Sequence, residues 1–241
     1  MLINLEQLKN KYRIEVKGIA HIGAHVGSEV DSYLKLFGEI PIHLFEPQKN
    51  IFKELKKNVV NQNKIFFHNI GLGSENKRVD FYVNTNNDGQ SSSVLKPKDH
   101  IKYHPHVLFE KGEKIEIKRY DDLHLEKVNF MNIDVQGYEL EVLKGASENL
   151  MNIDYLLIEV NRKELYENCV LVNELDLFLK KFDLIRIKTE WWNKNGTWGD
   201  AFYIDKNLIS IKNIFIPIIK NKIQSIKGYF FIRSLLFQTK R

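Results

Sequence analysis

The stretch that decides the fold of this 241-residue chain reads Ile19-Ala20-His21-Ile22-Gly23-Ala24-His25-Val26-Gly27. Residues 18–22 form a short apolar run that predicts a buried strand, and the two glycines in the spacing Gly-x-x-x-Gly predict a turn. Residues 28–37 then have the periodicity of a helix, and a second apolar run, about twenty residues past the turn, ends in Phe45-Glu46-Pro47. A strand, a glycine turn, a helix and a strand that ends in an acid are typical of a nucleotide-type site at the carboxyl edge of a parallel sheet.

The alternation of strands and helices continues along the chain. Helices are predicted at residues 2–12, 51–55, 137–145 and 171–182. Strands are predicted at 40–45, 65–70, 79–84, 115–118, 128–133, 153–160, 184–189 and 201–204. This alternation implies a doubly wound, mostly parallel α/β sheet, and the last two strands are expected to form a closing hairpin. Residues 85–110 show no clear periodicity, so they are predicted to be a long loop that is disordered or functional.

Composition limits the class of protein. With 43% apolar residues the chain can bury one good core. Its single cysteine, Cys169, excludes an internal disulfide and a zinc site built from cysteines. Residues 1–17 are polar and lack the apolar segment of a signal peptide, and no apolar run reaches the roughly 18 residues that a membrane-spanning helix requires. We therefore expect a soluble protein of a reducing compartment, the cytoplasm.

The net charge of +5 arises at one end of the chain. Residues 206–241 contain eight Lys and Arg and no Asp or Glu, which leaves the first 205 residues with a net charge of about −3. The first 205 residues therefore lack the excess of positive charge that is typical of nucleic-acid-binding proteins, and no nucleic-acid partner is predicted. Residues 206–241 are predicted to be a basic amphipathic tail that lies on a membrane surface, packs against a partner or docks onto its own domain. The predicted division is a helical cap at 1–17, a nucleotide-type domain at 18–205 and this tail.

Three acids follow three of the predicted buried strands: Glu46, Asp134 and Glu159. The carboxyl ends of parallel strands meet at one edge of a sheet, so these side chains are expected to converge there. Glu46 is placed to accept hydrogen bonds from a ribose diol, whereas in the alternative interpretation it is a solvated acid beside a helix start. His25 occupies the place of the middle glycine that a pyrophosphate site favours. A cofactor with ribose and adenine but no phosphate, such as S-adenosylmethionine, fits this turn better.

Residues 128–146 read VNFMNIDVQGYELEVLKGA. This segment resembles the signature of the FkbM-type methyltransferases, and further segments follow in the order that this family shows: Gly23-Ala24-His25-Val26-Gly27, Phe45-Glu46-Pro47, Asn69-Ile70-Gly71-Leu72-Gly73, Ser91-Ser92-Ser93, Glu159-Val160-Asn161 and Trp198-Gly199-Asp200-Ala201. The resemblance covers residues 18–204. It implies a Rossmann-like class I methyltransferase domain, with a seven-stranded, mostly parallel sheet whose last strand is antiparallel, and S-adenosylmethionine as the cofactor.

The resemblance also implies roles for individual residues. Residues 23–27 would wrap the methionine end of the cofactor, Glu46 would hold its ribose, and its adenine would lie near Ile70 and Gly71. The cofactor contacts implied in this way are His21, Gly23, Ala24, His25, Gly27, Glu46, Pro47, Ile70, Gly71 and Asp134. The chain departs from the family at two positions, since members usually carry an acid where His21 stands and often Asn where His25 stands. His21 removes a carboxylate that normally helps to orient the amino end of the cofactor; alternatively, it is a histidine satisfied within the core.

Methyl transfer from a sulfonium to a hydroxyl requires alignment, exclusion of water and removal of the hydroxyl proton. Asp134 is the candidate that orients or deprotonates the acceptor, with the alternative of an N-cap for the following helix. Glu139 is a second catalytic candidate, which alternatively only holds the turn. Glu159 is the third, and could share a divalent ion or a sugar hydroxyl with Asp134. Oxygen ligands suit Mg²⁺ or Ca²⁺, but three scattered acids do not commit the site to a metal.

The unpatterned segment and the aromatic residues near the end of the domain supply further candidates. His100, His104 and His106 have a spacing that zinc could use, although no predicted element fixes their geometry. A mobile lid with polar contacts, closed with help from residues 91–93, is the preferred interpretation. Three tryptophans either form an aromatic wall of the kind that sugars pack against or pack in the core: Trp191, Trp192 and Trp198.

The sequence thus predicts an S-adenosylmethionine-dependent O-methyltransferase that acts on a small-molecule or glycan acceptor, at a hydroxyl on a sugar of a glycan or glycolipid. One alternative is a nucleotide-sugar or NAD-dependent enzyme on a similar sheet. It is disfavoured because the glycine turn lacks the middle glycine that a pyrophosphate site favours. Another is a non-catalytic scaffold anchored by its tail, which His21 favours. An RNA methyltransferase is disfavoured, because no Asn/Asp-Pro-Pro-aromatic motif follows the fourth strand.

Overall fold

The computed structural model describes residues 1–59, 63–86, 88–125, 127–192 and 196–209. Within these ranges the α-helices are α1 Leu5–Tyr12, α2 Val30–Phe37, α3 Lys49–Asn58, α4 Asp99–Tyr103, α5 Glu139–Gly145 and α6 Val172–Leu179. The strands are β1 Ile19–Ile22, β2 Ile42–Phe45, β3 Ile65–His68, β4 Gly71–Leu72, β5 Lys77–Val79, β6 Tyr82–Asn84, β7 Phe109–Lys111, β8 Ile115–Lys118, β9 Phe130–Ile133, β10 Tyr155–Asn161, β11 Leu184–Trp191 and β12 Trp198–Asp205.

Seven of these strands form the central sheet, in the order β11-β12-β10-β9-β1-β2-β3. The strands from β10 to β3 are parallel to one another, and β12 is antiparallel to both of its neighbours, β10 and β11. Strands β1, β2, β9 and β10 are buried along their whole length, as expected for strands that helices cover on both faces. The predicted α/β class, the seven strands and the antiparallel last strand are confirmed.

Helices cover both faces of the sheet because successive strand residues point to opposite sides. On one face, α1, α2 and α3 bury Leu8, Tyr33 and Leu55. On the other face, α5 and α6 bury Leu143 and Leu175. The connections to these helices leave the sheet at the carboxyl ends of the parallel strands, so the segments that can carry functional residues gather at that edge.

Residues 71–118 contain two small sheets that were not predicted. β4, β8 and β5 form a three-stranded sheet, and β6 pairs with β7. The predicted single strand at 79–84 is wrong, because the chain breaks at Asp80 and Phe81, where Phe81 turns into a small core with Ile115 and Ile117. The predicted loop at 85–110 is wrong in part, since it contains α4 and the start of β7. A helix of five residues is too short to show the periodicity of a helix in the sequence.

The predictions for the two ends of the chain are confirmed in part. The predicted closing hairpin is confirmed, since β11 and β12 pair antiparallel, and the predicted N-terminal helix is present as α1. The division into cap, domain and tail stays a prediction. Residues 210–241, which hold most of the predicted amphipathic tail, lie outside the described residues. In the part of the chain that the structure describes, no helix combines the length and the apolar character needed to cross a bilayer.

Candidate active site

A cavity of about 760 Å³ opens at the carboxyl edge of the sheet, where β1, β2, β9 and β10 end. The structure brings most of the predicted site residues together in its wall: His21, Gly23, Ala24, His25, Glu46, Pro47, Ile70, Gly71, Asp134 and Glu159. Gly27 and Glu139 do not line it. A more open cavity of about 410 Å³ lies beside β11, between Asp176 and Thr189, and contains none of the predicted site residues.

Backbone geometry explains both glycines of the turn after β1. Gly23 has a φ of 84°, and a Cβ atom there would lie 1.8 Å from the carbonyl oxygen of Asp134. Gly27 has a φ of 81°, and a Cβ atom there would lie 2.7 Å from the side chains of Leu55 and Val59. Gly23 therefore lets two turns of the site pack together. Gly27 lets α3 approach the turn, so its position supports a packing role and not the predicted cofactor contact.

Glu46, at the end of β2, is held by main-chain donors. Its Oε1 accepts a hydrogen bond from the N–H of Gln48 at 2.7 Å, and its Oε2 accepts one from the N–H of His25 at 3.2 Å. The residue is 3% exposed, so the alternative of a solvated acid is wrong. Burial raises the pKa of this carboxyl to about 7. A carboxylate fixed between these two turns has the acceptor atoms and the position that a ribose diol requires.

His21 is buried beside the cavity and hydrogen-bonded on both ring nitrogens. Its Nε2 accepts from the side-chain amide of Asn132 at 3.1 Å, and its Nδ1 lies 3.4 Å from the hydroxyl of Tyr33. Burial lowers the pKa of the ring to about 4, so it is neutral at physiological pH. These hydrogen bonds match the alternative of a histidine satisfied within the core, although the residue also lines the cavity.

Gln136 joins the two carboxylates at the ends of β9 and β10. Its Nε2 donates to Asp134 Oδ1 at 2.8 Å and to Glu159 Oε2 at 2.9 Å, and its Oε1 accepts from the hydroxyl of Tyr166 at 2.9 Å. Asp134 is exposed to solvent inside the cavity, and the protein that encloses this cavity raises the pKa of its carboxyl to about 6 by limiting its hydration. Burial, together with the nearby charge of Asp134, raises the pKa of Glu159 well above its ordinary value. The ionisation of each carboxyl group therefore opposes that of the other, and Glu159 is the one whose protonated form is favoured more strongly.

Glu139 holds the turn between β9 and α5. The residue is fully buried, and its Oε1 accepts from the N–H of Val135 at 3.3 Å and from the N–H of Gly137 at 2.9 Å. Of its two predicted roles, this placement supports the one in the turn. The alternative role of Asp134 as an N-cap is wrong, because α5 begins only at Glu139 and the Asp134 side chain is bound to that of Gln136.

Acidic side chains dominate the cavity wall, which also contains Met1, whose amino group lies 4.0 Å from Glu29 Oε1. Five carboxylates line it: Glu29, Glu46, Asp134, Glu159 and Asp200. Among the described residues, no Lys or Arg side chain does so. Such a wall attracts a cationic ligand and repels a phosphate. S-adenosylmethionine carries a sulfonium and an ammonium group, whereas NAD and nucleotide sugars carry a pyrophosphate, so the residues present fit the former.

The segment around α4 forms a second wall of the cavity. His100, His104 and His106 line it, and the rings of His100 and His104 lie 4.9 Å apart. The segment is tied to the carboxylate pair, because the Ser93 hydroxyl donates to the carbonyl oxygen of Gln136 at 2.7 Å. Across residues 1–59, 63–86, 88–125, 127–192 and 196–209, no group of three or more His, Cys, Asp or Glu side chains is arranged to hold a metal ion. The predicted mobility of a lid stays a prediction.

Two of the three tryptophans form an aromatic pair in the cavity wall. Trp192 and Trp198 stack with their ring centres 5.3 Å apart and their planes 14° from parallel. Trp192 is 56% exposed, so one face of the pair is available to a ligand. Trp191 instead packs under the guanidinium group of Arg162, 3.6 Å from its ring centre. The predicted aromatic wall therefore consists of Trp192 and Trp198.

Sequence reasoning missed three residues of the site. Gln136 lies inside the signature segment, but its bridging position depends on a φ of 56° and on the convergence of two strands. Glu29 reaches the cavity from the residue before α2, and its place just after the glycine turn was the available signal. Tyr166 approaches from the connection between β10 and α6, and its hydroxyl lies 2.9 Å from both the carbonyl oxygen of Ser91 and Gln136 Oε1, either of which can accept its single proton. No local pattern predicts that contact.

Comparison with known proteins gives the family to which the sequence and the cavity point. A family model for the methyltransferase FkbM domain matches residues 21–184. This range lies within the resemblance predicted for residues 18–204. A relative, the 2-O-methyltransferase NoeI of Sinorhizobium fredii (strain NBRC 101917 / NGR234), is 27% identical over 177 residues, which cover 69% of this chain and 72% of the relative.

One solved structure shows the same fold. The methyltransferase FkbM from Methylobacillus flagellatus KT superimposes with a TM-score of 0.55 at 16% sequence identity. The match covers 78% of this chain and 43% of that chain, so this chain spans less than half the length of that structure. At this level of identity the likeness shows the fold alone.

Proposed function

Because the chain belongs to the FkbM methyltransferase family, we propose that it transfers a methyl group from S-adenosylmethionine to a hydroxyl on a sugar of a glycan or glycolipid. Methyltransferases of this family depend on S-adenosylmethionine, which when bound supplies an electrophilic methyl group on a sulfonium. The choice of oxygen as the acceptor atom and of a sugar as the acceptor rests on three supports. They are the carboxylate pair, the tryptophan pair and the relative that is a 2-O-methyltransferase.

The observation that carries the proposal is the Asp134 carboxylate, which faces the cavity and is tied through Gln136 to Glu159. A hydroxyl is a poor nucleophile until its proton is removed, so transfer to oxygen requires a proton acceptor beside the reacting atom. In the proposed step, ionised Asp134 would accept the proton of the acceptor hydroxyl, and bound S-adenosylmethionine would supply the methyl group to that oxygen, leaving S-adenosylhomocysteine. Gln136 keeps the carboxylate in one orientation during this transfer, because its amide is itself held by Tyr166.

The acceptor end of the cavity favours an uncharged sugar. The exposed face of the Trp192–Trp198 pair offers the flat apolar surface on which the C–H face of a sugar ring packs. The absence of Lys and Arg among the described lining residues disfavours a phosphate or carboxylate on the part of the acceptor that enters the cavity. The NAD and nucleotide-sugar alternative is disfavoured on the same ground.

The test combines the purified chain, S-adenosylmethionine labelled in its methyl group, and neutral oligosaccharides and glycolipids as acceptors. We expect the label in an O-methyl sugar after hydrolysis, and its loss with Asp134→Asn. Label on nitrogen or in RNA would contradict the proposal. Binding of S-adenosylhomocysteine without transfer to any acceptor of the panel would favour the non-catalytic scaffold.

The proposed place of action is the cytoplasm, with residues 206–241 in peripheral contact with the inner membrane face. The charge of the tail supports this part, since its eight basic residues are not balanced by an acid. Co-sedimentation with anionic vesicles, compared with neutral vesicles, tests the membrane contact. Equal partitioning would contradict it.

A further inference from the structure

His21, which lies near the carboxyl end of β1 and lines the cavity, carries no charge at neutral pH. The methionine moiety of the cofactor carries an ammonium group, and burying it requires a carboxylate or several strong acceptors. His21 is neutral, and its two ring nitrogens are engaged by Asn132 and Tyr33. His21 therefore cannot neutralise an ammonium group in this place.

Glu29 brings a carboxylate to the same wall. It lies at the N-terminal end of α2, two residues past the glycine turn, and lines the cavity together with His21. Its side chain is 22% exposed, and its Oε2 accepts from the Ser28 hydroxyl at 2.9 Å. Burial acts to raise the pKa of this carboxyl, whereas the hydrogen bond from Ser28, the amino group of Met1 and the partial exposure of the side chain favour its ionised form. The group is therefore an anion at neutral pH.

The other carboxylates of the cavity already have protein donors, and Glu46 and Asp134 are also assigned to the ribose and to the acceptor hydroxyl. Glu46 accepts two main-chain N–H groups, and Asp134 and Glu159 share the amide of Gln136. Asp200 accepts from the main-chain N–H of Leu2. In contrast, Glu29 Oε1 forms only an ion pair with the amino group of Met1, at 4.0 Å, without a hydrogen bond. Glu29 thus keeps an oxygen that can receive a new donor.

We propose that Glu29 receives the ammonium group of the cofactor's methionine moiety, in the role that an acid at position 21 would otherwise have. This inference rests on the S-adenosylmethionine dependence of the family and on the cavity as the cofactor site, and it does not depend on the identity of the acceptor. It explains how the chain accommodates a neutral histidine at the end of β1. It also assigns a reason for the position of Glu29 just after the glycine turn.

The test uses calorimetry to compare how the wild type and its variants bind two ligands. No methyl acceptor is present, so no turnover occurs. Glu29→Gln should lower the affinity for S-adenosylhomocysteine roughly ten- to hundredfold, which is the typical effect of losing one charge-assisted hydrogen bond. The same variant should bind the deaminated analogue of S-adenosylhomocysteine as the wild type does, because that ligand lacks the ammonium group. Asp31→Asn, at an exposed position of the same helix, is the matched control and should bind both ligands normally.

An equal loss of affinity for both ligands would assign Glu29 a structural role and overturn the proposal, as would an unchanged affinity for S-adenosylhomocysteine. If Glu29→Gln does not fold, Glu29→Asp tests the same idea, since it keeps the charge but retracts it by one methylene. Glu29→Asp should lower the affinity for S-adenosylhomocysteine and leave the affinity for the deaminated analogue unchanged. Because no acceptor is present, failure of the sugar proposal leaves this result unaffected.

Discussion

Gly23 and Asp134 lie back to back, so that a Cβ atom on Gly23 would be 1.8 Å from the carbonyl oxygen of Asp134. Gly23 opens the turn that the cofactor is proposed to occupy, and Asp134 opens the turn that carries the proposed proton acceptor. The N–H of Asp134 also donates to the carbonyl oxygen of Ile22 at 2.9 Å. The two turns are thus fixed against each other, and a shift of one displaces the other.

Gly23→Ala should abolish folding or strongly lower the unfolding temperature, because the added methyl group meets a main-chain oxygen and the φ of 84° disfavours an L-residue. Gly38→Ala is the matched control. Gly38 also has a positive φ, 74°, but nothing lies within 4 Å of the position that a Cβ atom would take there, so the cost should be about 1–2 kcal/mol. Thermal denaturation of both variants checks this, and similar melting temperatures would contradict it.

Asp134→Asn should lower turnover by roughly 10²–10⁴-fold while S-adenosylhomocysteine binding is largely retained, because the proton acceptor is lost. Wild-type turnover should fall about tenfold per pH unit below pH 6, since the raised pKa of Asp134, about 6, requires deprotonation first. Glu159→Gln is the informative comparison: a raised pKa favours the protonated form of Glu159, which Gln resembles, so its loss should be smaller. Substantial activity in Asp134→Asn would remove this residue from the mechanism.

The affinity for S-adenosylhomocysteine should fall as the pH drops below about 7, the raised pKa of Glu46. Ribose hydroxyls donate to the ionised carboxylate, so protonation at acid pH competes with binding, and the loss is at most about tenfold per pH unit. Glu46→Gln should bind weakly at every pH and lose this dependence. Calorimetry between pH 5.5 and 8 measures it; a pH-independent wild type would contradict the ribose assignment.

Trp192→Ala should raise the KM for a sugar acceptor several-fold with little change in kcat, because the indole offers a packing surface and takes no part in the chemistry. The residue is 56% exposed, so the fold should be unaffected. Leu177→Ala, on α6 and 69% exposed, is a control for the loss of an exposed apolar side chain. An unchanged KM would assign the tryptophan pair to structure alone.

Glu139→Ala should destabilise the protein by roughly 2–4 kcal/mol, because the buried N–H of Gly137 and the partly buried N–H of Val135 lose their acceptor. Glu141→Ala, whose carboxylate pairs with Lys144 on the partly exposed side of α5, should cost less than about 1 kcal/mol. Denaturant unfolding measures both. A stable Glu139→Ala variant with an altered pH–rate profile would return Glu139 to the catalytic group.

The local features of the site were predictable and its pairings were not. Buried strands that end in acids led to the prediction that Glu46, Asp134 and Glu159 converge, and the structure places all three in one cavity. The role of each stays a prediction. Their partners were not predictable, because Gln136 meets Glu159, and Asn132 meets His21, across strands that are distant in the chain.

By itself the sequence determined the sheet, the glycine turn and the methyltransferase class with its cofactor, and these are confirmed. The sheet and the turn depend on apolar runs, helical periodicity and paired glycines, which are properties of adjacent residues. The class and the cofactor follow instead from the resemblance of residues 128–146 to the family signature. Only the tertiary structure decided that His21 is neutral, that Gln136 joins two carboxylates and that Glu29 reaches the cavity wall. Those facts depend on burial and on contacts between elements far apart in the chain, which set the pKa values and hydrogen-bond partners of the site.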